Sequence, residues 1–148
     1  MKSIPVKIQS EQDMTIFAAD LACLVPPHTV ILLSGDLGVG KTAFARGFIR
    51  SAAGDQTMPI PSPTFNMVSI YETTTGQIYH YDLYRVKNSS EIDELNIDDI
   101  YTAHATLIEW PDRLPSSLIP TFKYRVHLHI EMNVDGTRDV TVTPHGFG

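Results

Sequence analysis

The chain has 148 residues, of which 43% are hydrophobic and 19% are charged. A chain of this length buries roughly 70% of its unfolded surface as one domain, so we expect a single domain over residues 1–148. Its one cysteine excludes an internal disulfide framework and a multi-cysteine zinc site. No apolar run approaches the roughly 20 residues of a membrane helix, and the first residues lack a signal-peptide pattern. These features favour a soluble cytoplasmic protein and no membrane partner.

Acidic side chains are concentrated in one segment. Between Asp82 and Asp112 the chain has eight acidic and two basic side chains, which accounts for the whole net charge of −6. Affinity for phosphate backbones depends on clustered Lys and Arg, so the charge distribution disfavours free binding to nucleic acid through a broad basic face. The segment is either a solvated surface or a place where acids handle a cation or dock a partner.

The first half of the chain predicts a strand, a helix, a buried strand and a second helix. Residues 6–8 form a short edge strand, and Ser10 is the expected N-cap of a helix that Pro26 ends. Residues 30–33 are continuously apolar, as in a strand buried on both faces of a parallel sheet. A glycine-rich turn follows, and then a helix over residues 41–53.

The second half predicts further strands, separated by loops and short helices. Three prolines make residues 57–63 a loop. Together with the first half this pattern predicts an α/β fold, a P-loop NTPase-like three-layer domain with a mixed central β-sheet flanked by helices. The remaining predictions are strands at 65–72, 77–82 and 106–109, short helices at 89–95 and 97–103, and a hairpin of strands 125–131 and 138–143.

The turn after the buried strand matches the phosphate-binding motif G-x-x-x-x-G-K-[ST]. In this motif backbone N–H groups and the positive end of the following helix surround phosphate oxygens. The lysine reaches the β- and γ-phosphates and the hydroxyl ligates Mg²⁺. The sequence therefore predicts a nucleotide site formed by Gly35, Asp36, Leu37, Gly38, Val39, Gly40, Lys41 and Thr42.

A P-loop site also needs a carboxylate to hold Mg²⁺ and a group to position the attacking water. Asp82 and Glu109 are the two candidates, because each follows a predicted strand and ligands bind beyond the carboxyl ends of such strands. Glu109 follows the more uniformly apolar strand. The residues alone leave open which acid has which role, and Asp82 has a further interpretation as a turn residue paired with Arg85.

Six other residues are considered for a role in the site or in the core. Thr64, at the end of a proline-rich loop, resembles a switch residue that senses the γ-phosphate. Trp110 either walls the nucleotide site, binds a partner or belongs to the core. We expect His80 to be structural or to support the site, and Cys23 to be buried and inert. His127 and His129 share a strand face but lack a third metal ligand, so we interpret both as structural.

Taken together, these motifs resemble the TsaE family (also called YjeE), small bacterial P-loop ATPases of tRNA threonylcarbamoyladenosine synthesis. The resemblance covers nearly the whole chain. It is carried by the phosphate loop together with three further segments, which are Ser62-Pro63-Thr64-Phe65, His80-Tyr81-Asp82-Leu83-Tyr84-Arg85 and Leu107-Ile108-Glu109-Trp110-Pro111.

The resemblance implies ATP and Mg²⁺ as cofactors, and ATP hydrolysis within a complex with the TsaD and TsaB proteins. It implies that tRNA is reached only indirectly, through that complex. By position, Thr42 and Glu109 resemble the family's metal ligands, and Lys41 resembles its triphosphate clamp. Asp82 resembles the acid that orients or activates water, and Ser62-Pro63-Thr64 resembles the first switch. Glu11, Trp110 and Arg138 resemble residues at the edge of the nucleotide pocket.

Two other functions remain open. A small-molecule kinase needs an acceptor pocket and as a rule an arginine-bearing lid, but the arginines after Arg50 are scattered. A GTPase is disfavoured, since the sequence has neither Asn-Lys-x-Asp nor Asp-x-x-Gly. A nucleotide-gated binding module with negligible turnover fits the residues as well, because Asp82 and Glu109 could hold Mg²⁺ without activating water.

Overall fold

A computed structural model describes residues 2–63 and 65–147. Seven strands form one sheet: β1 (Ile4–Ile8), β2 (Thr29–Ser34), β3 (Val68–Thr73), β4 (Gly76–Asp82), β5 (Ala105–Glu109), β6 (Arg125–Met132) and β7 (Arg138–His145). Three α-helices accompany them: α1 (Glu11–Leu24), α2 (Lys41–Ala53) and α3 (Ser89–Asp93). Short 3-10 segments cover Ile97–Tyr101, Pro111–Arg113 and Ile119–Thr121.

The sheet is mixed, with the order β1-β7-β6-β2-β5-β4-β3. Its centre is parallel, because β2 pairs in parallel with both β5 and β6, and β4 pairs in parallel with β5. The antiparallel pairs lie at the two sides of the sheet. This arrangement confirms the predicted α/β class with a mixed central sheet. It also brings the carboxyl ends of β2, β4 and β5 to one edge.

Each face of the sheet has its own hydrophobic core. One core packs the sheet against α1 and α2, and the other packs it against α3 and the 3-10 segments. The rings of Phe17 in α1 and Phe44 in α2 lie 5.8 Å apart. Gly47 permits this close approach of the two helices, since a Cβ there would lie 3.1 Å from the Cβ of Ala18.

Local sequence signals explain where the two long helices begin and end. The Ser10 hydroxyl accepts a hydrogen bond from the Asp13 N–H at 3.1 Å, so the predicted N-cap of α1 is confirmed. The α1 helix ends before Pro26, as predicted. Gly54 ends α2 in the left-handed conformation with φ 68°.

One predicted strand boundary is wrong. Residues 65–67 precede β3 and are not part of it, because Met67 has a left-handed backbone with φ 64° that a strand cannot continue through. The Met67 N–H donates instead to the Pro63 carbonyl. The helices predicted at 89–95 and 97–103 are also shorter than expected. Within the described residues, no helix has the length and apolar content needed to cross a membrane.

Candidate functional site

The glycine-rich turn between β2 and α2 needs its glycines for both backbone conformation and space. Gly35, Gly38 and Gly40 have φ values of 139°, 78° and 115°, which side-chain-bearing residues rarely adopt. A Cβ at Gly35 would also collide with the carbonyl oxygen of Ile130. Gly40 is the N-cap of α2 and provides no capping side chain. The first turn of α2 therefore directs its backbone N–H groups at the cleft, as an anion site requires.

Lys41 is held at the bottom of this cleft with only 4% of its surface exposed. Its ammonium donates to the carbonyl oxygens of Gly35 and of Asp36, the latter at 3.3 Å, and lies 3.7 Å from the centre of the Trp110 ring. Burial lowers the pKa of Lys41, and the nearby carboxylates of Glu109 and Asp82 partly oppose that shift. The amine is a buried cation at the N-terminus of α2, where a triphosphate would bind.

The sheet brings the two candidate carboxylates together. Asp82 ends β4 and Glu109 ends β5, and the two residues are direct partners in the parallel ladder. They are 7% and 2% exposed, so both are buried beside Lys41. Asp82 also closes a turn, since its Oδ1 accepts a hydrogen bond from the Tyr84 N–H at 3.1 Å. The prediction that both acids lie at the carboxyl edge of the sheet is confirmed.

Glu109 connects the phosphate loop to the interior of the sheet. One carboxylate oxygen, Oε1, accepts a hydrogen bond from the Thr42 hydroxyl at 3.4 Å. The other, Oε2, lies 2.7 Å from Nε2 of His80, which is fully buried. A carboxylate only accepts, so the His80 nitrogen is the donor. His80 therefore supports a site residue, one of the two roles that its sequence position had suggested.

The residues around Lys41 enclose a cleft of about 330 Å³. Trp110 forms one wall, and the Tyr84 ring packs against it at 5.0 Å between centroids. Arg138 also lines the cleft and donates to the Val39 carbonyl at 3.1 Å. The predicted site residues that face the cleft are Glu11, Leu37, Gly38, Gly40, Lys41, Thr42, Ser62, Asp82, Glu109, Trp110 and Arg138.

Three members of the phosphate loop have a different position. Gly35, Asp36 and Val39 border a neighbouring groove beside β6 rather than the cleft itself. They still shape the site through their backbone, because their carbonyl groups accept hydrogen bonds from Lys41 and Arg138. Thr64 lies outside the described residues, so its role as a switch residue stays a prediction.

The predictions for the cysteine and the histidine pair have different outcomes. Cys23 is exposed, so its predicted burial is wrong: it lies near the end of α1, where the neighbouring Leu24 is itself 78% exposed. His127 and His129 both contact the Ser34 hydroxyl, at 2.9 and 2.8 Å. These contacts fit the structural role that we expected for the pair.

Sequence reasoning missed two residues that line the cleft, Met14 and Ala43. Met14 faces the cleft from α1, one helical turn after Ser10 and Glu11, and this spacing was a signal that could have found it. Tyr84 is not among the lining residues but packs on the Trp110 wall, a contact that no sequence pattern predicts.

The donor set of the cleft fits Mg²⁺. Thr42 and Glu109 offer hydroxyl and carboxylate oxygens that already contact each other, and Mg²⁺ prefers oxygen ligands from one or two carboxylates together with phosphates and water. The described residues contain no cluster of three or more His, Cys, Asp or Glu side chains that could hold a metal ion alone. A cation here would therefore take its remaining ligands from a bound nucleotide and from water.

Comparisons with known proteins identify the family of the chain. A family model described as "Threonylcarbamoyl adenosine biosynthesis protein TsaE" matches residues 8–140. A tRNA threonylcarbamoyladenosine biosynthesis protein TsaE from Rickettsia bellii is 42% identical over 123 residues, which cover 83% of this chain and 84% of that protein. The protein of the same name from Bacillus subtilis is 29% identical over 99% of this chain and 89% of its own.

One solved structure has a similar fold. The crystal structure of YdiB from Bacillus subtilis superposes with a TM-score of 0.73 at 24% sequence identity. The match covers 99% of this chain and 87% of that one. The whole sheet and both long helices therefore belong to an architecture that is already known from experiment.

Proposed function

The chain belongs to the TsaE family of threonylcarbamoyladenosine biosynthesis proteins, and we propose that within it the chain is an Mg²⁺-dependent ATPase. Its proposed role is to hydrolyse ATP in a complex with TsaD and TsaB during the threonylcarbamoyladenosine modification of tRNA. In this proposal the partner proteins, and not this chain, transfer the threonylcarbamoyl group to tRNA.

The convergence of four side chains in one cleft carries this proposal. Lys41 and Thr42 begin α2, and Asp82 and Glu109 end two neighbouring parallel strands. All four face the same cleft. A buried amine, a hydroxyl and two carboxylates at a helix N-terminus form the set that phosphoryl transfer requires.

Each of these residues has a distinct proposed role. Lys41 binds the β- and γ-phosphates, and Thr42 and Glu109 hold Mg²⁺, which when bound neutralises charge on the phosphates. Asp82 accepts a hydrogen bond from the attacking water and orients it toward the γ-phosphate. Thr64 belongs to the loop that changes its order when this phosphate leaves.

The partner proteins complete the site in this proposal. In P-loop enzymes a further positive group at the transferring phosphate contributes a large part of the rate. Hydrolysis is therefore slow when one carboxylate orients the water and no such group is added. We therefore propose slow turnover by the chain alone and faster turnover in the complex. The acidic segment from Asp82 to Asp112 supplies a surface for docking, and tRNA is reached through the complex.

Nucleotide binding can be measured directly, because Trp110 is the sole tryptophan and lies at the cleft. We expect ATP with Mg²⁺ to change Trp110 fluorescence saturably. Lys41→Met should weaken binding roughly 100-fold, since the charged amine that would contact the phosphates is lost. Lys123→Met is the matched control, because Lys123 is exposed and contacts Tyr124 away from the cleft.

Equal affinities of the Lys41→Met and Lys123→Met variants would contradict the proposed nucleotide site. Tight binding without hydrolysis, even in the presence of TsaD and TsaB, would instead favour the nucleotide-gated binding module.

A further inference from the structure

His80 is a fully buried polar side chain on the central sheet. It is 0% exposed, and its Nε2 lies 2.7 Å from Oε2 of Glu109. The other ring nitrogen, Nδ1, has no hydrogen-bond partner among residues 2–63 and 65–147. The contact with Glu109 is therefore the one hydrogen bond that the described residues offer the imidazole.

A histidine would be an unfavourable choice at this position if its side chain only filled space in the core. A buried ring nitrogen without a partner costs free energy, and an apolar side chain could fill this space without that cost. The hydrogen bond to Glu109 is what distinguishes histidine from such a side chain at this position.

The ladder between β4 and β5 fixes where this donor lies. His80 pairs with Leu107, and two residues further along each strand Asp82 pairs with Glu109. Because side chains two residues apart share a face of the sheet, His80 and Glu109 lie diagonally on the face that carries Asp82. The imidazole therefore approaches Glu109 from inside the sheet, on the side away from the open cleft.

The two carboxylate oxygens of Glu109 therefore have different contacts. His80 holds Oε2, while Oε1 faces the Thr42 hydroxyl at 3.4 Å. A carboxylate held at one oxygen cannot rotate its other oxygen away without breaking a buried hydrogen bond. The oxygen directed at Thr42 is the one available to a cation at the phosphate loop.

We propose that His80 is a positioning residue for the cation: its N–H locks Glu109 so that one carboxylate oxygen stays directed at the Mg²⁺ position beside Thr42. This inference rests on the proposed nucleotide and Mg²⁺ site and assigns that site a further residue. His80 itself touches neither the nucleotide nor the cation.

The test compares variants that keep or remove the donor. In His80→Gln the side-chain amide is as many bonds from the backbone as Nε2, so it can still donate to Glu109. In His80→Asn the amide reaches only the depth of Nδ1, and His80→Phe keeps the ring without a donor. For each folded variant, Trp110 fluorescence gives the affinity for ADP in EDTA and the Mg²⁺ concentration at which half of the metal-dependent change in binding occurs.

We expect His80→Phe and His80→Asn to raise the half-saturating Mg²⁺ concentration about tenfold or more, the usual effect of losing a partner that orients a metal ligand. Their ADP affinity in EDTA should change less than twofold, and His80→Gln should stay within about threefold of the unmodified chain for Mg²⁺. If His80→Phe fails to fold, His80→Asn against His80→Gln makes the same comparison.

Two results would overturn the inference. One is an unchanged Mg²⁺ requirement in the folded variants that lack the donor, and the other is an equal loss in His80→Gln and His80→Asn. A failure of the proposed function would look different, since the unmodified chain would then bind ADP without any response to Mg²⁺, or not bind it at all.

Discussion

Lys41, Asp82 and Glu109 place one positive and two negative groups at the cleft as buried side chains, with exposed fractions of 4%, 7% and 2%. Charges that are removed from water interact strongly and are screened little by salt. Two carboxylates would repel a triphosphate unless a cation lay between them. This charge balance supports the proposal that a nucleotide binds here together with Mg²⁺. The contact of Glu109 with the Thr42 hydroxyl supports Glu109 as the proposed metal ligand.

Substitution of Asp82 tests whether ATP binding and ATP hydrolysis depend on different residues. Asp82→Asn keeps the shape of the side chain and an oxygen for the Tyr84 N–H, but it removes the negative charge that would orient water. We expect ATP affinity to stay within about threefold and partner-stimulated turnover to fall roughly 100-fold or more, the range for loss of a general base. Binding by Trp110 fluorescence and phosphate release measure the two effects, and unchanged turnover would show that the assigned role is wrong.

At the scale of elements, β4 joins the candidate site to the layer formed by α3 and the 3-10 segment Ile97–Tyr101. The buried Tyr81 hydroxyl donates to the Leu95 carbonyl at 3.0 Å, within the connection between these two helical segments. Burial raises the pKa of Tyr81 well above its usual value of 10.0. The folded state therefore favours the protonated phenol. The contribution of this phenol to the free energy of unfolding is present below pH 10 and is lost as the pH rises further.

Alkaline unfolding tests this connection. Tyr81→Phe should cost about 1 kcal/mol of unfolding free energy at pH 7, since the hydrogen bond is lost. The difference should shrink between about pH 10 and 12, because ionisation destabilises only the chain that has the phenol. Denaturant unfolding at several pH values measures the loss at pH 7 and its change with pH. Tyr101→Phe is the control, because Tyr101 is exposed. A difference that does not change with pH would contradict the assigned cause.

Helix α2 holds the loop that precedes Thr64. Arg46 donates to the Ile60 carbonyl at 2.9 Å and Arg50 to the Met58 carbonyl at 3.0 Å. Ile60 is buried and Ser62, two residues later, faces the cleft. The helix that begins at the phosphate loop thus also fixes one end of the segment that we propose as a switch.

Hydrogen exchange tests this anchor. Arg46→Gln should speed amide exchange at the non-proline residues of 57–63 by about fivefold, corresponding to roughly 1 kcal/mol for one net hydrogen bond, while the sheet stays protected. Arg125→Gln is the matched control, because Arg125 also donates to a backbone carbonyl, that of Phe122. Equal exchange of the loop in both variants would show that Arg46 does not hold it.

The sequence predicts those features that depend on local pattern. Continuous apolar runs identified β2 and β5, and the glycine spacing located the phosphate loop before α2. Both carboxylates were found because each directly follows a strand. The contact of His80 with Glu109 depends on the register of β4 against β5, which no local pattern specifies. The exposure of Cys23 likewise depends on where the packing face of α1 ends.

At the scale of the whole molecule, the acidic side chains of residues 82–112 lie in two places. Asp82 and Glu109 are buried in the cleft, whereas Asp93, Glu94, Asp98 and Asp99 are exposed on the layer that covers one face of the sheet. Exposed charges act mainly on the rate and orientation of encounter with a partner. The candidate site and the acidic surface are therefore separate parts of one segment, and a basic surface on a partner would complement the second.

Steady-state ATP hydrolysis tests the central claim most directly. It should be measured for the purified chain alone, with TsaD and TsaB from the same organism, and with Glu109→Ala under both conditions. The account predicts slow turnover alone and strong stimulation by the partners, with the stimulation lost in Glu109→Ala. Tight ATP binding without partner-stimulated turnover would contradict it, and so would a Glu109→Ala variant that the partners stimulate as strongly as the unmodified chain.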